Sequence, residues 1–230
     1  MAALSPGRAL LLHGAGGGGW EWARWRPVLE ARGIGVDAPD LMPASAGWAA
    51  TTLADYLEQA RATLTAMPRP RLLVGASLGG LLAAAVADAA DALVLVNPLP
   101  PRPWASRLPV REWPEVVPWR REARLVSTRL AIPDADPATA LFAFRRWRDE
   151  SGRVLREARA GIAVPRPACP LLCIASGADA DVPPALTRAL AQDWQADLLG
   201  LAGASHVGPL LGREAPTVAE QVAGWLQRVG

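Results

Sequence analysis

Lysine is absent from this sequence of 230 residues, in which all 24 basic residues are arginines. Without lysine, the chain has no side-chain amine that could form a Schiff base, and a phosphate-binding loop of the form G-x-x-x-x-G-K is excluded. The 22 acidic residues bring the formal net charge to +2, which argues against a nucleic-acid-binding or membrane-surface protein. Long apolar runs are also missing, so no transmembrane helix is expected.

Cysteine is scarce as well. Cys169 and Cys173 are the only two, and they flank an apolar run. Their spacing favours small buried side chains over a disulfide or a C-x-x-C redox site. The N-terminal stretch "MAALSPGRALLLHG" continues directly into a predicted strand and does not resemble a signal peptide. We therefore expect a cytoplasmic protein.

Six short runs in the sequence are almost continuously apolar and are bounded by glycine or proline. They cover residues 9–14, 33–40, 71–77, 92–98, 170–177 and 196–203. Such runs are typical of strands that are buried on both faces of a parallel sheet. Segments with helical spacing lie between them, at 51–66, 78–90, 184–194 and 214–228. The alternation predicts an α/β fold with a doubly wound, mostly parallel six-stranded sheet, whose ligands bind at the carboxyl ends of the strands.

The segment 99–168 interrupts this alternation. It begins with closely spaced prolines and continues with Arg-rich stretches, around 119–130 and 138–159, that we predict to be helical. Because it is too long for a loop, we expect a cap over a core formed by residues 1–98 and 169–230. Its 14 arginines against 8 acidic residues are more typical of a solvated helical surface, and a site for an anionic substrate group is the alternative.

The stretch "LLVGASLGG" places Ser77 in the pattern G-x-S-x-G between a predicted strand and a predicted helix. In a chain with 21 glycines the pattern alone is weak evidence for a nucleophile. The scarcity of histidine adds information, because a serine nucleophile needs a base and only His13 and His206 are present. His206 is favoured, since it follows the last predicted strand and can reach the carboxyl edge of the sheet.

Two acids could orient such a base. Asp179 and Asp181 both lie in "SGADADVPP", directly after a predicted strand and between Ser77 and His206 in sequence. The same residues are also common in turns that have no catalytic role. The pattern leaves the choice between the two acids open.

A glycine tract offers an alternative function. Gly14, Gly16 and Gly19 satisfy G-x-G-x-x-G after a predicted strand, and Asp37 and Asp40 follow about twenty residues later. This pattern is typical of NAD(P)-binding oxidoreductases of the Rossmann type. The next segment, "WEWARWRP", argues against it because bulky indoles replace the small residues that such a helix presents to its sheet.

The order serine, aspartate, histidine on successive strand ends, together with "LLLHGAGGGGWEWARWRPVLEARGIGVDAPDL", resembles the α/β-hydrolase superfamily. The Trp-rich form is similar to small esterases related to plant methylesterases and hydroxynitrile lyases. The family usually has two further strands before the His-Gly strand, so this chain would be a compact version. The resemblance implies a serine hydrolase that cleaves a carboxylic ester or thioester of a small to medium apolar substrate through an acyl-enzyme, without metal or organic cofactor.

The resemblance also implies roles for individual residues. Ser77 would be the nucleophile, and His206 the general base and later acid. The family's acid is commonly followed by Val-Pro at the third and fourth positions, which selects Asp179 and leaves Asp181 as the second candidate. A lyase on the same scaffold is a further alternative, although the plant hydroxynitrile lyases use a lysine that this chain lacks.

The remaining implied residues surround the triad. The backbone N–H groups of Ala15 and Leu78 would form the oxyanion hole. His13 would brace the glycine loop, and Trp20 and Trp104 would contribute to an apolar substrate pocket.

Overall fold

The computed structural model describes residues 7–229, and a six-stranded sheet forms the centre of the fold. The strands of the chain are β1 (Arg8–Leu12), β2 (Gly35–Asp37), β3 (Arg71–Ala76), β4 (Ala92–Val96), β5 (Val116–Val117), β6 (Glu150–Ser151), β7 (Leu171–Ser176) and β8 (Asp197–Leu201). The main sheet has the order β2-β1-β3-β4-β7-β8, and all its pairings are parallel. The predicted parallel six-stranded sheet is confirmed. Residues 1–6, which belong to the predicted core and to the N-terminal stretch, lie outside the described residues.

Helices cover both faces of this sheet. They are α1 (Arg26–Ala31), α2 (Leu53–Ala66), α3 (Leu78–Ala85), α4 (Leu125–Ala131), α5 (Pro137–Phe144), α6 (Gly152–Ala160), α7 (Pro184–Asp193), α8 (Gly208–Leu211) and α9 (Ala215–Val229). The first turn of α2 is a capping box, in which Thr52 and Asp55 each accept a hydrogen bond from the other's backbone N–H. Within residues 7–229, none of these helices has the length and hydropathy needed to cross a membrane.

Successive residues of the central strands pack into opposite layers, which explains their continuous apolar runs. In β3, Leu73 packs in the cluster that contains α2, α3 and α7, whereas Leu72 and Val74 pack in the cluster that contains α1, α8 and α9. All three are fully buried. Because both faces are covered, the strands lack polar alternation.

The helices predicted in the segment 99–168 need correction. The predicted helix 138–159 is two helices, α5 and α6, separated by the short strand β6, which pairs antiparallel with β5. The predicted helix 119–130 begins only at Leu125. The backbone N–H groups of Arg120 and Arg121 donate to the carboxylate of Asp149 at 2.9 and 3.3 Å, which fixes this stretch in a turn.

Candidate active site

Ser77 lies on the sharp turn between β3 and α3, with φ 52° and ψ −117°. This backbone conformation is strained for a residue with a Cβ atom. The turn needs glycine at two flanking positions. A Cβ atom on Gly75 would lie 2.2 Å from the carbonyl oxygen of Gly79, and one on Gly79 would lie 2.3 Å from the carbonyl oxygen of Leu12. The glycines of G-x-S-x-G therefore have a steric function here.

His206 and Asp179 form a buried hydrogen-bonded pair. The imidazole Nδ1 lies 2.7 Å from Asp179 Oδ2, and Asp179 Oδ1 accepts the backbone N–H groups of Asp181 and Val182, both at 2.8 Å. Burial by itself lowers the pKa of His206, but the hydrogen bond and charge of Asp179, with the charges of Asp181 and Glu21, raise it above its ordinary 6.5. Asp179 thus fixes the orientation of the ring and stabilises its protonated form.

Asp181 has a different environment from Asp179. Its carboxylate is half-exposed and forms an ion pair of 2.7 Å with Arg111. Ligand atoms of Asp179, Asp181 and His206 lie within 4.8 Å of one another, the spacing of a possible metal site. Both oxygens of Asp179 already accept hydrogen bonds, and Asp181 is paired with a cation. The arrangement therefore fits an acid that orients an imidazole better than an open metal site.

Asn97 connects the loop that carries His206 to the sheet. Its Nδ2 donates to the carbonyl oxygen of His206 at 2.6 Å and to Ser176 Oγ at 2.8 Å, and its Oδ1 accepts the N–H of Ser176 at 2.8 Å. Asn97 was not among the site residues predicted from the sequence. The indication that the sequence offered for Asn97 was a side-chain amide directly after the apolar run that forms β4.

Ala15 and Leu78 carry the two backbone N–H groups that were predicted to form an oxyanion hole. Within residues 7–229, neither of these N–H groups donates a hydrogen bond. The neighbouring N–H groups of Gly14 and Gly16 donate instead to the carboxylates of Glu21 and Glu150, at 3.1 and 3.0 Å. The loop is thus anchored on both sides of Ala15.

The glycine tract is closely packed against other parts of the chain. A Cβ atom on Gly16, where φ is +68°, would lie 2.3 Å from the Trp119 ring. On Gly17 it would lie 1.8 Å from Glu21 Oε1. Protein atoms thus fill the space beside these two glycines, and a carboxylate is a poor neighbour for a pyrophosphate. The sheet order, which is 2-1-3-4-5-6 when only its own strands are numbered, also differs from the Rossmann order 3-2-1-4-5-6. The dinucleotide-binding alternative is therefore not favoured.

His13 packs beneath this tract. Its Nε2 accepts the N–H of Leu41 at 2.9 Å, so the proton lies on Nδ1, which donates to the carbonyl oxygen of Gly14 at 2.7 Å. Burial lowers its pKa to about 4, and the ring is neutral at pH 7. His13 thus braces the glycine loop.

Glu21 is a buried acid that was not among the site residues predicted from the sequence. Its side chain lies in the short turn between two tryptophans, and the residue is 1% exposed. Burial raises its pKa to about 7, although the hydrogen bond from Gly14 and the nearby His206 act in the opposite direction. A charged residue among indoles was the only sequence signal.

A cavity of about 710 Å³ lies between the sheet and the segment 99–168. Ala15, Glu21, Ser77 and His206 line its floor. The opposite wall is largely apolar and includes Leu108, Val117, Trp113, Trp119 and Leu155. The predicted nucleophile and the predicted base thus line the same cavity, whose opposite wall is mainly apolar.

Trp20 and Trp104, predicted to contribute to the pocket, do not line this cavity. Trp20 packs edge-to-face against Phe142 and Trp147, and Trp104 packs in the same way against Trp194. Both indoles therefore serve as packing residues, and that prediction is corrected.

The arginines of the segment 99–168 do not make the cavity basic. Three of them line it: Arg111 pairs with Asp181, Arg159 donates to the carbonyl oxygen of Leu108 at 2.8 Å, and Arg124 is the third. Glu112 and Glu122 line the same wall. The alternative of a site for an anionic substrate group is not supported by this distribution of charge.

Comparison with known proteins agrees with the topology. Residues 9–221 match the model of the alpha/beta hydrolase family. No curated protein sequence matches the chain. Among solved structures, polyneuridine aldehyde esterase is similar at 17% identity and a TM-score of 0.74, over 95% of this chain and 100% of that one. A pyrethroid hydrolase from Sphingobium faniae is similar at 21% identity and a TM-score of 0.71, over 96% and 98%. Tomato methylketone synthase I, complexed with 2-tridecanone, is similar at 14% identity and a TM-score of 0.77, over 98% and 100%. The chain therefore belongs to the α/β-hydrolase family.

Proposed function

We propose that the protein is a serine hydrolase that cleaves a carboxylic ester or thioester of a small to medium apolar substrate. The observation that carries this proposal is the convergence of Ser77 and the Asp179–His206 pair at one apolar cavity. Two of the similar proteins, polyneuridine aldehyde esterase and pyrethroid hydrolase, are named for hydrolytic activities, which agrees with this class of reaction.

In the proposed reaction, His206 Nε2 takes the proton of Ser77 Oγ while the oxygen attacks the carbonyl carbon of the substrate. Asp179 holds the imidazole through Nδ1 and stabilises the imidazolium that forms. The developing oxyanion accepts the N–H groups of Ala15 and Leu78, which have no other acceptor within residues 7–229. His206 then protonates the leaving alcohol or thiol, and water hydrolyses the acyl-enzyme by the reverse sequence.

The segment 99–168 is proposed to act as the cap that selects the substrate. Trp113 and Trp119 pack edge-to-face with their ring centroids 5.8 Å apart, and both line the cavity. A rigid aromatic roof of this kind favours apolar acyl or alcohol groups over charged ones.

The proposed nucleophile can be tested by labelling with a serine-reactive fluorophosphonate. We expect the wild-type protein to be labelled and Ser77→Ala to be unlabelled. Ser127→Ala is the matched control, because Ser127 also lines the cavity but lies in the segment 99–168. Equal labelling of Ser77→Ala, or no labelling of folded wild-type protein, would contradict the proposal.

The proposed acid can be tested with a pair of isosteric variants. On a short aryl ester, Asp179→Asn is expected to lower kcat by about 10³- to 10⁴-fold, because the imidazole loses its orienting acceptor. Asp181→Asn is expected to change kcat by less than about tenfold, since this side chain is half-exposed and pairs with Arg111. A larger loss in Asp181→Asn than in Asp179→Asn would reverse the assignment.

A further inference from the structure

Glu21 is a buried acid in the cavity for which the proposed triad has no role. It lies on the floor with Ser77 and His206. Within residues 7–229, its hydrogen-bond donor is the N–H of Gly14, and no arginine pairs with it. Ionisation of a carboxyl group in this setting is unfavourable, because burial removes it from bulk water and no arginine forms an ion pair with it in the described residues.

The position of Glu21 brings it close to the proposed oxyanion hole. Its Oε2 lies 3.1 Å from the nitrogen of Gly14. Because consecutive backbone nitrogens are at most about 3.6 Å apart, Oε2 lies within about 7 Å of the nitrogen of Ala15. A negative charge on Glu21 would therefore face the negative charge that develops on the substrate.

We propose, on the basis of the serine-hydrolase function above, that Glu21 is a positioning residue whose carboxyl braces the oxyanion loop and must be protonated while the oxyanion forms. The protonated group keeps a carbonyl oxygen for the N–H of Gly14 and adds no charge. The ionised group keeps the same hydrogen bond but opposes the oxyanion.

The charged groups around Glu21 make its ionisation part of a coupled system. His206 and Asp40 are the groups whose charges act on it most, and the first favours the carboxylate while the second opposes it. Asp40 accepts the N–H of Gly19 at 2.8 Å and lies 3.3 Å from Arg148 Nη1, so its own charge is partly compensated. Other charged groups act on His206 in turn. Asp179 contacts its imidazole, and the nearby Asp181 forms an ion pair with Arg111.

This coupling predicts two pH limits for the reaction. The base His206 must be neutral, so activity falls at acid pH. Glu21, with its pKa raised by burial to about 7, must be protonated, so activity also falls as pH rises through the neutral range. Since the charges of His206 and Glu21 interact, each of the two pH limits reflects the ionisation of both residues together. A reaction that depends on the triad alone would reach a plateau on the alkaline side.

The size of the alkaline fall follows from Coulomb's law. The oxyanion lies about 3 Å beyond the Ala15 nitrogen, so it is within about 10 Å of the Glu21 carboxyl. At an effective dielectric constant of about 20, repulsion of the oxyanion at that distance alone slows the reaction about tenfold; the same charge also stabilises the His206 imidazolium that forms in this step, so we expect a net fall of about threefold or more.

The test is the dependence of kcat/KM on pH for a short aryl ester between about pH 6 and pH 9. Glu21→Gln keeps an acceptor for the Gly14 N–H and removes the ionisable group. Glu30→Gln is the matched control, because Glu30 is half-exposed and pairs with Arg26 in helix α1. We expect kcat/KM of wild type and Glu30→Gln to fall about threefold or more above pH 7, and kcat/KM of Glu21→Gln to rise to a plateau. The same alkaline behaviour in wild type and Glu21→Gln would overturn the proposal.

A second measurement uses the wild-type protein alone, in case Glu21→Gln does not fold. Attack of Ser77 on a fluorophosphonate also places a charged oxygen in the oxyanion hole, so the labelling rate should fall above pH 7. A rate that rises to a plateau would refute the role of Glu21 while leaving the serine hydrolase intact. Absence of labelling at every pH would refute the proposed function itself, and with it the role of Glu21.

Discussion

The burial of Glu21 should make the protein less stable as pH rises, whatever role the residue has in the reaction. In the folded state, burial raises its pKa from 4.5 to about 7. Between these two values the unfolded chain has lost this proton and the folded chain still binds it. The slope of the unfolding free energy with pH follows the protons bound by the unfolded state minus those bound by the folded state, so this slope is negative. The contribution of Glu21 is greatest below pH 4.5 and is lost as pH rises to about 7.

The magnitude follows from the same two values. One pKa unit corresponds to about 1.4 kcal/mol, so a full shift from 4.5 to about 7 is worth about 3 kcal/mol. Between pH 5 and pH 8, titration of Glu21 removes about 2 to 3 kcal/mol of this contribution to the unfolding free energy. Glu21→Gln has no proton to lose and lacks this term. As pH rises from 5 to 8, the unfolding free energy of the variant should therefore increase by about 2 to 3 kcal/mol relative to that of wild type.

Urea denaturation at several pH values, followed by circular dichroism, measures this difference. Subtracting the curve of the variant from that of wild type removes the contributions of groups that titrate equally in both. Glu30→Gln is again the control, and its difference from wild type should stay within about 0.5 kcal/mol at every pH. A constant difference between wild type and Glu21→Gln from pH 5 to pH 8 would show that the carboxyl titrates as an ordinary exposed group and would refute the reasoning.

Three further predictions concern the elements around the site. Asn97→Ala should lower the unfolding free energy by about 1 to 3 kcal/mol, because buried partners lose their hydrogen bonds, and thermal denaturation would measure this loss. Gly79→Ala should prevent accumulation of folded protein, since its Cβ atom would meet backbone oxygens at 2.3 and 2.4 Å, whereas Gly200→Ala, with no atom within 4 Å, should fold normally. Asp181→Asn should move the acid limit of kcat/KM to lower pH, because the charge of Asp181 helps to raise the pKa of His206. An unchanged acid limit would mean that the charge of Asp181 is screened.

The core of the fold could be predicted because buried parallel strands leave a clear signal in the sequence. Each of the six apolar runs became a strand, with its ends moved by a few residues. The segment 99–168 was less predictable, because its structure depends on contacts between distant residues. The carboxylate of Asp149, for example, fixes the turn at Arg120 and Arg121, and no local pattern indicates this.

In the candidate site, too, some residues could be predicted from the local sequence, and others depend on contacts between distant parts of the chain. Ser77 and His206 could be selected because the chain offers few alternatives, and both lie at strand ends. The residue pattern by itself left the choice between Asp179 and Asp181 open, since both follow β7 within two residues of each other, and only the family resemblance favoured Asp179. Their environments differ only in three dimensions, where Asp179 contacts His206 and Asp181 contacts Arg111. Trp20 was assigned to the pocket because an indole that packs in a core has the same sequence signature as one that lines a cavity.

The glycine tract illustrates why a motif must be interpreted together with the residues that surround it. In a dinucleotide-binding loop, glycines allow a phosphate to approach the backbone. Here the corresponding space is occupied by the chain itself: Trp119 lies against Gly16, the carboxyl of Glu21 against Gly17, and the carbonyl oxygen of Ala38 within 1.9 Å of a Cβ atom on Gly19. These contacts fix the course of the loop; the N–H of Gly14 donates to Glu21, and the next N–H, that of Ala15, donates to no acceptor in the described part of the chain, residues 7–229. The glycines thus shape the loop at which we propose that the oxyanion is bound, in a place where their pattern alone offered a phosphate-binding site as an alternative.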